Sequence, residues 1–184
     1  IRYMLGDIRD YKRCVEVTKD IDIVIHAAAL KHVPLCEFNP REAHNTNIKG
    51  TKNLIKASKK NNVKKFLFIS TDKVVNPVSV MGKTKKIAEK FILNSNKKNN
   101  TLFSCIRFGN IIGSRGSVLP KFKKQIKNNE NLSLTDKSME RYFLTIDKAV
   151  KNILLSMEIM NGNEIFIISN LPNFKIMDLA EVIK

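Results

Sequence analysis

The sequence predicts an α/β protein with a doubly wound parallel sheet, on three observations. Short apolar runs rich in β-branched and aromatic residues alternate with longer amphipathic segments. Each run leads into a loop of small or charged residues, and in an open α/β sheet that carboxyl edge is where ligands bind. A hydrophobic content of 43% over 184 residues is enough for one buried core.

The elements follow in order. Ile1–Leu5 reads as a strand and Tyr11–Lys19 as a short helix. Ile21–His26 is a run of buried-strand type, followed by a loop over Ala27–Asn39. Pro40, favoured in a first helical turn, opens a helix to about Asn61, with Ile48, Leu54, Ile55 and Ala57 at helical spacing. Lys65–Ser70 is the next strand and Thr71–Pro77 a loop. Val78–Asn94 is a helix with Ile87, Ala88, Phe91 and Ile92 on its inward stripe. Leu102–Phe108 is a strand, Gly109–Gly116 a glycine-rich loop, and Ser117 a good N-cap for the helix that follows. A short strand at Leu132–Leu134, a helix at Ile146–Met160, a strand at Glu164–Ile168 and a helix from about Met177 complete the pattern. No repeat or linker interrupts it, so one domain with a smaller C-terminal lobe is expected.

Composition narrows the function classes. No run approaches the roughly 18 apolar residues that span a bilayer, so no membrane contact is expected of this segment. Cys14, Cys36 and Cys105 lack metal or redox spacing and are expected as reduced structural thiols in the cytoplasm. Because the chain opens on Ile1, an anchor upstream is left open. His26, His32 and His44 form no metal-site spacing, and no metal is expected. The net charge of +16 raises a nucleic-acid reading. The lysines are scattered, however, with clusters at Lys83, Lys85 and Lys86, at Lys97 and Lys98, and from Lys121 to Lys127, and no nucleic-acid motif accompanies them. A solvated surface is the simpler reading, and no nucleic-acid partner is expected. A positive field also suits a cleft for anionic nucleotides.

Four loops carry candidate chemistry. Gly6-Asp7-Ile8 ends the first run; Asp7 could accept a hydrogen bond from an adenine amino group, or simply cap a turn. Ala27-Ala28-Ala29 follows a strand and allows either close ligand approach or tight strand–helix packing. Thr71-Asp72-Lys73 pairs an acid with a base whose protonation burial could tune; the alternative is a capped turn with solvated charges. Met81 and Lys85, at i and i+4, share one helix face, from which Lys85 could bond ribose hydroxyls near a nicotinamide. Arg107–Asn110 and Gly113-Ser114-Arg115-Gly116 combine flexible backbone with the Arg115 fork, suiting a diphosphate or a flexible turn.

Three long segments, HAAALKHVPLCEFNPREAHNTNIKGT (26–51), STDKVVNPVSVMGKTKKIAE (70–89) and RFGNIIGSRGSVLPKF (107–122), resemble the polysaccharide-biosynthesis (CapD-like) branch of the extended short-chain dehydrogenase/reductases. ERYFLTIDKAV (140–150) and IMDLAEVI (176–183) continue the likeness over essentially the whole chain. That branch includes UDP-N-acetylglucosamine 4,6-dehydratases, and the resemblance implies a Rossmann-like fold, a UDP-sugar substrate, a homo-oligomer and an NAD(P) cofactor, with NAD favoured. It implies a redox-neutral dehydration to a 4-keto-6-deoxy sugar or, within the same fold, a dehydratase that also epimerises C5 or a sugar-nucleotide epimerase. By resemblance Asp72 is the acid, Lys73 the C5 base and Thr71 a partner for the C4 hydroxyl. Lys85 matches the cofactor-orienting lysine and Asn47 the helix asparagine that supports the site. Asp7, Ile8 and Ala27–Ala29 match the cofactor side; Lys31, Asn110, Arg115 and Arg141 match the substrate side.

Two departures stand out. The tyrosine expected four residues before the lysine is Met81, whose thioether cannot take a proton. The proton would need a relay through Thr71, Asp72 or water, or the chain is a non-catalytic binding module. The glycine-rich phosphate loop is also absent from the sequence, so the chain is expected to start at the third strand of the usual order and to stop short at its C-terminus. A gap of about 14 Å, roughly three strand spacings, would then separate Ile1–Leu5 from Ile21–His26, and the isolated chain is expected not to be a stable, NAD-binding enzyme.

Overall fold

The computed structural model describes residues 1–96, 100–114, 116–134 and 136–183. The chain forms two compact units: residues 1–107 with 155–167, and residues 108–154 with 168–184.

The first unit is built on a four-stranded sheet with β1 (Ile23–His26), β2 (Lys65–Thr71), β3 (Leu102–Phe108) and β6 (Ile165–Ile167) side by side in that order. β1 runs parallel to β2, with His26 beside Phe68, and β3 runs parallel to β6. Phe66, Phe68 and Phe103 are sealed in the core, with the Phe66 and Phe103 rings 5.2 Å apart. Leu54, Ile55 and Ala57 of α4 (Thr51–Lys60) and Ala88 and Ile92 of α5 (Val80–Leu93) belong to the same core, each at helical spacing. Asp10 caps α1 (Tyr11–Val17) by accepting from the Arg13 N–H at 3.1 Å, and Ser79 caps α5 through the Gly82 N–H at 3.1 Å.

The second unit has a small sheet in which β4 (Asn110–Ile111) lies parallel to β5 (Glu140–Leu144), and β5 lies antiparallel to β7 (Asn173–Lys175). Its core joins Phe122 of α6 (Val118–Lys127), Phe143 of β5, and Ile176 and Ala180 of α8 (Ile176–Ile183). A Cβ at Gly109 would stand 2.7 Å from the Tyr142 carbonyl oxygen, so glycine is what lets β4 close on β5. Helix α7 (Ile146–Ile159) precedes β6 in the chain.

Several expectations are corrected. Ile1–Leu5 forms no strand, because no strand among the described residues pairs with it; a β-type composition without a ladder partner stays irregular. β1 is not a buried strand: it is an edge, and Ile23 and Ile25 are exposed. The loop after it contains a helix, α2 (Val33–Phe38), and the Pro40 helix is α3 (Pro40–His44), which runs through a π-helical segment at Asn45–Gly50 into α4. Ile87 faces outward on α5, one position off the buried Ala88. Leu132 and Leu134 pack against the Phe122 core without joining a strand. Ser117 occupies the N-cap position of α6 without a side-chain capping bond, and its hydroxyl is buried with no partner among the described residues.

Candidate active site

Strand β2 delivers Thr71 to the carboxyl edge of the sheet, and a single 3-10 turn over Asp72–Val74 follows directly. The Thr71 hydroxyl also accepts from the Lys73 N–H at 3.4 Å, which starts that turn. Asp72 Oδ1 accepts from the Thr71 Oγ1 hydroxyl at 2.8 Å and from Lys73 Nζ at 2.9 Å. Both charged side chains are 36% exposed, so this ion pair meets solvent and any incoming ligand. Helix α5 packs closely on the turn: a Cβ at Gly82 would lie 2.8 Å from the Lys73 carbonyl oxygen.

Met81 and Lys85 share the inner face of α5, and both are buried. Met81 sits in an apolar cluster with Cys36 and Ala43. Lys85 Nζ donates to the Ile69 carbonyl of β2 at 2.6 Å and lies 3.9 Å from the centre of the Phe68 ring. Burial lowers its pKa to about 8, against smaller opposing effects from Cys105 and Glu89. Its ammonium is thus held on the strand that presents Thr71, and not on an open surface.

Asn47 lies in the π-helical segment, fully buried, where its side chain acts as a clamp. Its Oδ1 accepts from the Leu30 N–H at 2.8 Å, and its Nδ2 donates to the Leu30 carbonyl at 3.1 Å and to Thr84 Oγ1 at 3.0 Å. The loop after β1 is thereby tied to the turn of α5 that bears Lys85. In that loop Ala27 and Ala28 are exposed and Ala29 is half-buried, so little but methyl groups stands between the backbone and a ligand. Asp7 is bound by Arg9 through its backbone N–H and its guanidinium, which holds the carboxyl below its ordinary range. Ile8 is half-buried against the core, close enough to Gly50 that a Cβ there would clash with it.

Lys31 is exposed in the same loop as the alanines. In the second unit, β4 and β5 bring Asn110 and Arg141 onto one sheet, with Asn110 beside Phe143 and Arg141 Nη1 donating to the Glu140 carbonyl at 2.7 Å. Arg115 lies outside the described residues.

Two polar arrangements escaped the sequence reading. His26 closes β1 with Nε2 2.9 Å from Thr51 Oγ1, and that hydroxyl donates to the Asn47 carbonyl at 2.8 Å. The hydroxyl has one proton to give, so His26 donates from Nε2, and Nδ1 is left buried without a partner among the described residues. Burial, and then the Lys85 ammonium, lower the His26 pKa to about 3. The second is Glu89, 3% exposed, whose two oxygens accept from Arg107 Nε at 2.9 Å and Nη2 at 2.7 Å. The one available signal was a carboxylate beside the inward Ala88 and Ile92, four residues after Lys85.

Known proteins match this geometry and sequence. An uncharacterized membrane protein of Methanocaldococcus jannaschii is 48% identical over the whole chain and 56% of its own length. The UDP-N-acetylglucosamine 4,6-dehydratase (inverting) of Campylobacter jejuni is 44% identical, again over the whole chain and 56% of its length. The X-ray structure of Pen from Bacillus thuringiensis superposes with a TM-score of 0.96 at 44% identity, covering 99% of this chain and 57% of Pen. More distant solved structures that hold NAD, at 16–21% identity and TM-scores of 0.84–0.93, share the fold. The chain therefore spans a little over half the length of these two curated relatives, with the Rossmann-like α/β fold they imply. Among the described residues no helix is long and apolar enough to cross a membrane. The family model described as "polysaccharide biosynthesis protein" matches residues 1–184, and the chain belongs to that family.

Proposed function

We propose that the protein containing this chain dehydrates UDP-N-acetylglucosamine to a 4-keto-6-deoxy sugar nucleotide for surface polysaccharide or glycan synthesis. The observation that carries this reading is the half-exposed Thr71–Asp72–Lys73 cluster, in which one carboxylate oxygen accepts from both neighbours. Identity of 44% with the Campylobacter jejuni dehydratase supports it.

NAD, when bound, would supply transient hydride storage between sugar C4 and C6, so that the net change would be loss of one water. The residues present suit it on the loop after β1, where Ala27–Ala29 offer backbone unobstructed by larger side chains. Asn47 fixes that loop, while Asp7, with Ile8 beside it, remains engaged with Arg9 until a ligand competes.

The protons are handled by the chain's own groups. The C4 hydroxyl gives its proton through Thr71 Oγ1 to Asp72, the relay that the 2.8 Å bond already forms and that the Met81 thioether cannot supply. Asp72, now protonated, passes that proton to the departing C6 hydroxyl. With a ketone at C4 the C5 proton is acidic; Lys73, after its ammonium has released a proton to solvent, removes the C5 proton and later returns it to C5. Both protons are accounted for, one leaving with water and one restored to carbon. Asn110, Arg115 and Arg141 are the candidates to hold the nucleotide diphosphate, and Lys31 is a separate substrate-side candidate. Three free cysteines, all buried, suit a reducing cytoplasm, and a homo-oligomer is expected.

The test uses the full-length protein with UDP-N-acetylglucosamine and catalytic NAD, followed by NMR and mass spectrometry. A 4-keto-6-deoxy product is expected, and Lys73→Ala should lower turnover by about 10²–10⁴-fold. An isomer formed without loss of water would identify an epimerase of this fold. Bound NAD without turnover would leave a binding module, which is the reading that the buried Met81 favours.

A further inference from the structure

Helix α5 carries two buried charges one turn apart, Lys85 and Glu89, which is the spacing of an i,i+4 ion pair. They do not form one. Lys85 Nζ reaches the Ile69 carbonyl and the Phe68 ring, while both Glu89 oxygens are held by the Arg107 fork. Arg107 lies on β3, two residues after the buried Cys105, and has a side-chain exposure of 20% against 4% for Glu89. A bidentate guanidinium in so dry a place fixes the carboxylate in direction as well as charge.

We propose that Arg107 is a positioning residue for Lys85: its fork draws Glu89 away from the ammonium, so that Lys85 stays on the Ile69 carbonyl, two residues before Thr71. Without the fork, Glu89 is a buried carboxylate one turn from a cation. Lys85 then swings onto it, and the end of β2 loses the anchor beneath Thr71–Asp72–Lys73. The charged and titratable groups around Lys85 are Glu89 on its own helix, His26 on β1 and Cys105 on β3. His26 is neutral, and burial pushes the Cys105 thiol well up, so neither can replace Arg107 in offsetting Glu89.

The consequence for catalysis rests on the function proposed above, but the position and charge of Lys85 can be read without turnover. In the full-length protein with lysine side chains isotope-labelled, the Lys85 titration is followed by NMR in Arg107→Gln, Glu89→Gln and the double variant. Arg107→Gln should raise the Lys85 midpoint by about one pH unit, because an opposite charge now faces it. Glu89→Gln should lower it, because the Arg107 charge is left uncompensated, and the double variant should return close to the parent. A loss of packing would not move the two single variants in opposite directions. If Arg107→Gln does not fold, the fall in Glu89→Gln and the return in the double variant decide alone. Midpoints that stay together, or move the same way in both single variants, overturn the proposal. With turnover in hand, kcat in Arg107→Gln should fall at least tenfold at unchanged KM. Shifted midpoints with an unchanged kcat would overturn the positioning role, whereas absent turnover in the parent would instead count against the dehydratase reading.

Discussion

Two ion pairs lie against helix α5, one before its start and one in its C-terminal half, and they have opposite characters. Asp72–Lys73 is local in sequence, half-exposed, and shares one oxygen with a neighbouring hydroxyl. Glu89–Arg107 joins residues 18 apart, is nearly dry, and uses both oxygens in a fork. Solvent access separates them. An exposed pair gains little from Coulomb attraction and can exchange protons with a ligand; a buried one is costly to form and costlier to break halfway. The first is therefore available for chemistry, and the second for holding structure in place.

The largest effect that separates the pairs is on stability. Arg107→Ala leaves Glu89 buried without its fork and should cost about 3–5 kcal/mol. Asp72→Asn should cost less than about 1 kcal/mol, since exposure screens the pair. Urea unfolding of the full-length protein checks both. Equal costs would mean that the Asp72 pair holds structure as well, and that its exposure is a poor guide to its role.

Lys85 is a second contrast with Lys73. Its ammonium is buried, and burial lowers its pKa to about 8. The unfolded value is near 10.4, so the folded state binds fewer protons between those values and stability rises with pH across that window. Below about pH 8 the cost of the buried charge is fully present. Lys85→Met should therefore stabilise the protein by about 1–3 kcal/mol at pH 7, a gain that fades as pH approaches 10.4. Turnover should be lost in the same variant, a trade expected where a functional site is held in an unfavourable state. A destabilised Lys85→Met would show that the Ile69 and Phe68 contacts outweigh the burial cost.

The same contrast explains what could be read from sequence. Leu102–Phe108 and the Thr71-Asp72-Lys73 loop were legible because their signals are contiguous: seven residues of strand type, or three polar residues at a strand end. Ile1–Leu5 carries the same kind of signal and forms no strand, because pairing is a property of the neighbour and not of the run. β5 and β7 carry a weaker signal, since both are short and Glu140, Arg141, Asn173 and Lys175 break the apolar run that marks the longer strands. The π-helical segment at Asn45–Gly50 has no compositional mark, yet it carries the asparagine that clamps Leu30. Glu89–Arg107 and His26–Thr51 are contacts between elements, and no local pattern announces them.

His26 gives an effect that appears only in acid. Its ring donates from Nε2 to Thr51, lies 5.2 Å from the Phe68 ring that also carries Lys85, and keeps Nδ1 as an acceptor no described residue meets. A proton on Nδ1 would add a second buried cation near the first, and its folded pKa accordingly lies at about 3 against an ordinary value of 6.5. Between those values the unfolded chain binds the proton and the folded one does not. Stability is thus fully present above about pH 6.5 and falls as the solution is acidified, by up to about 1.4 kcal/mol per pH unit for one proton. His26→Gln keeps a donor for Thr51 and removes the titration, so its stability should decline less steeply from pH 6 to pH 4 than that of the parent. Parallel slopes would mean that Nδ1 is met by water and that the imidazole charges in place.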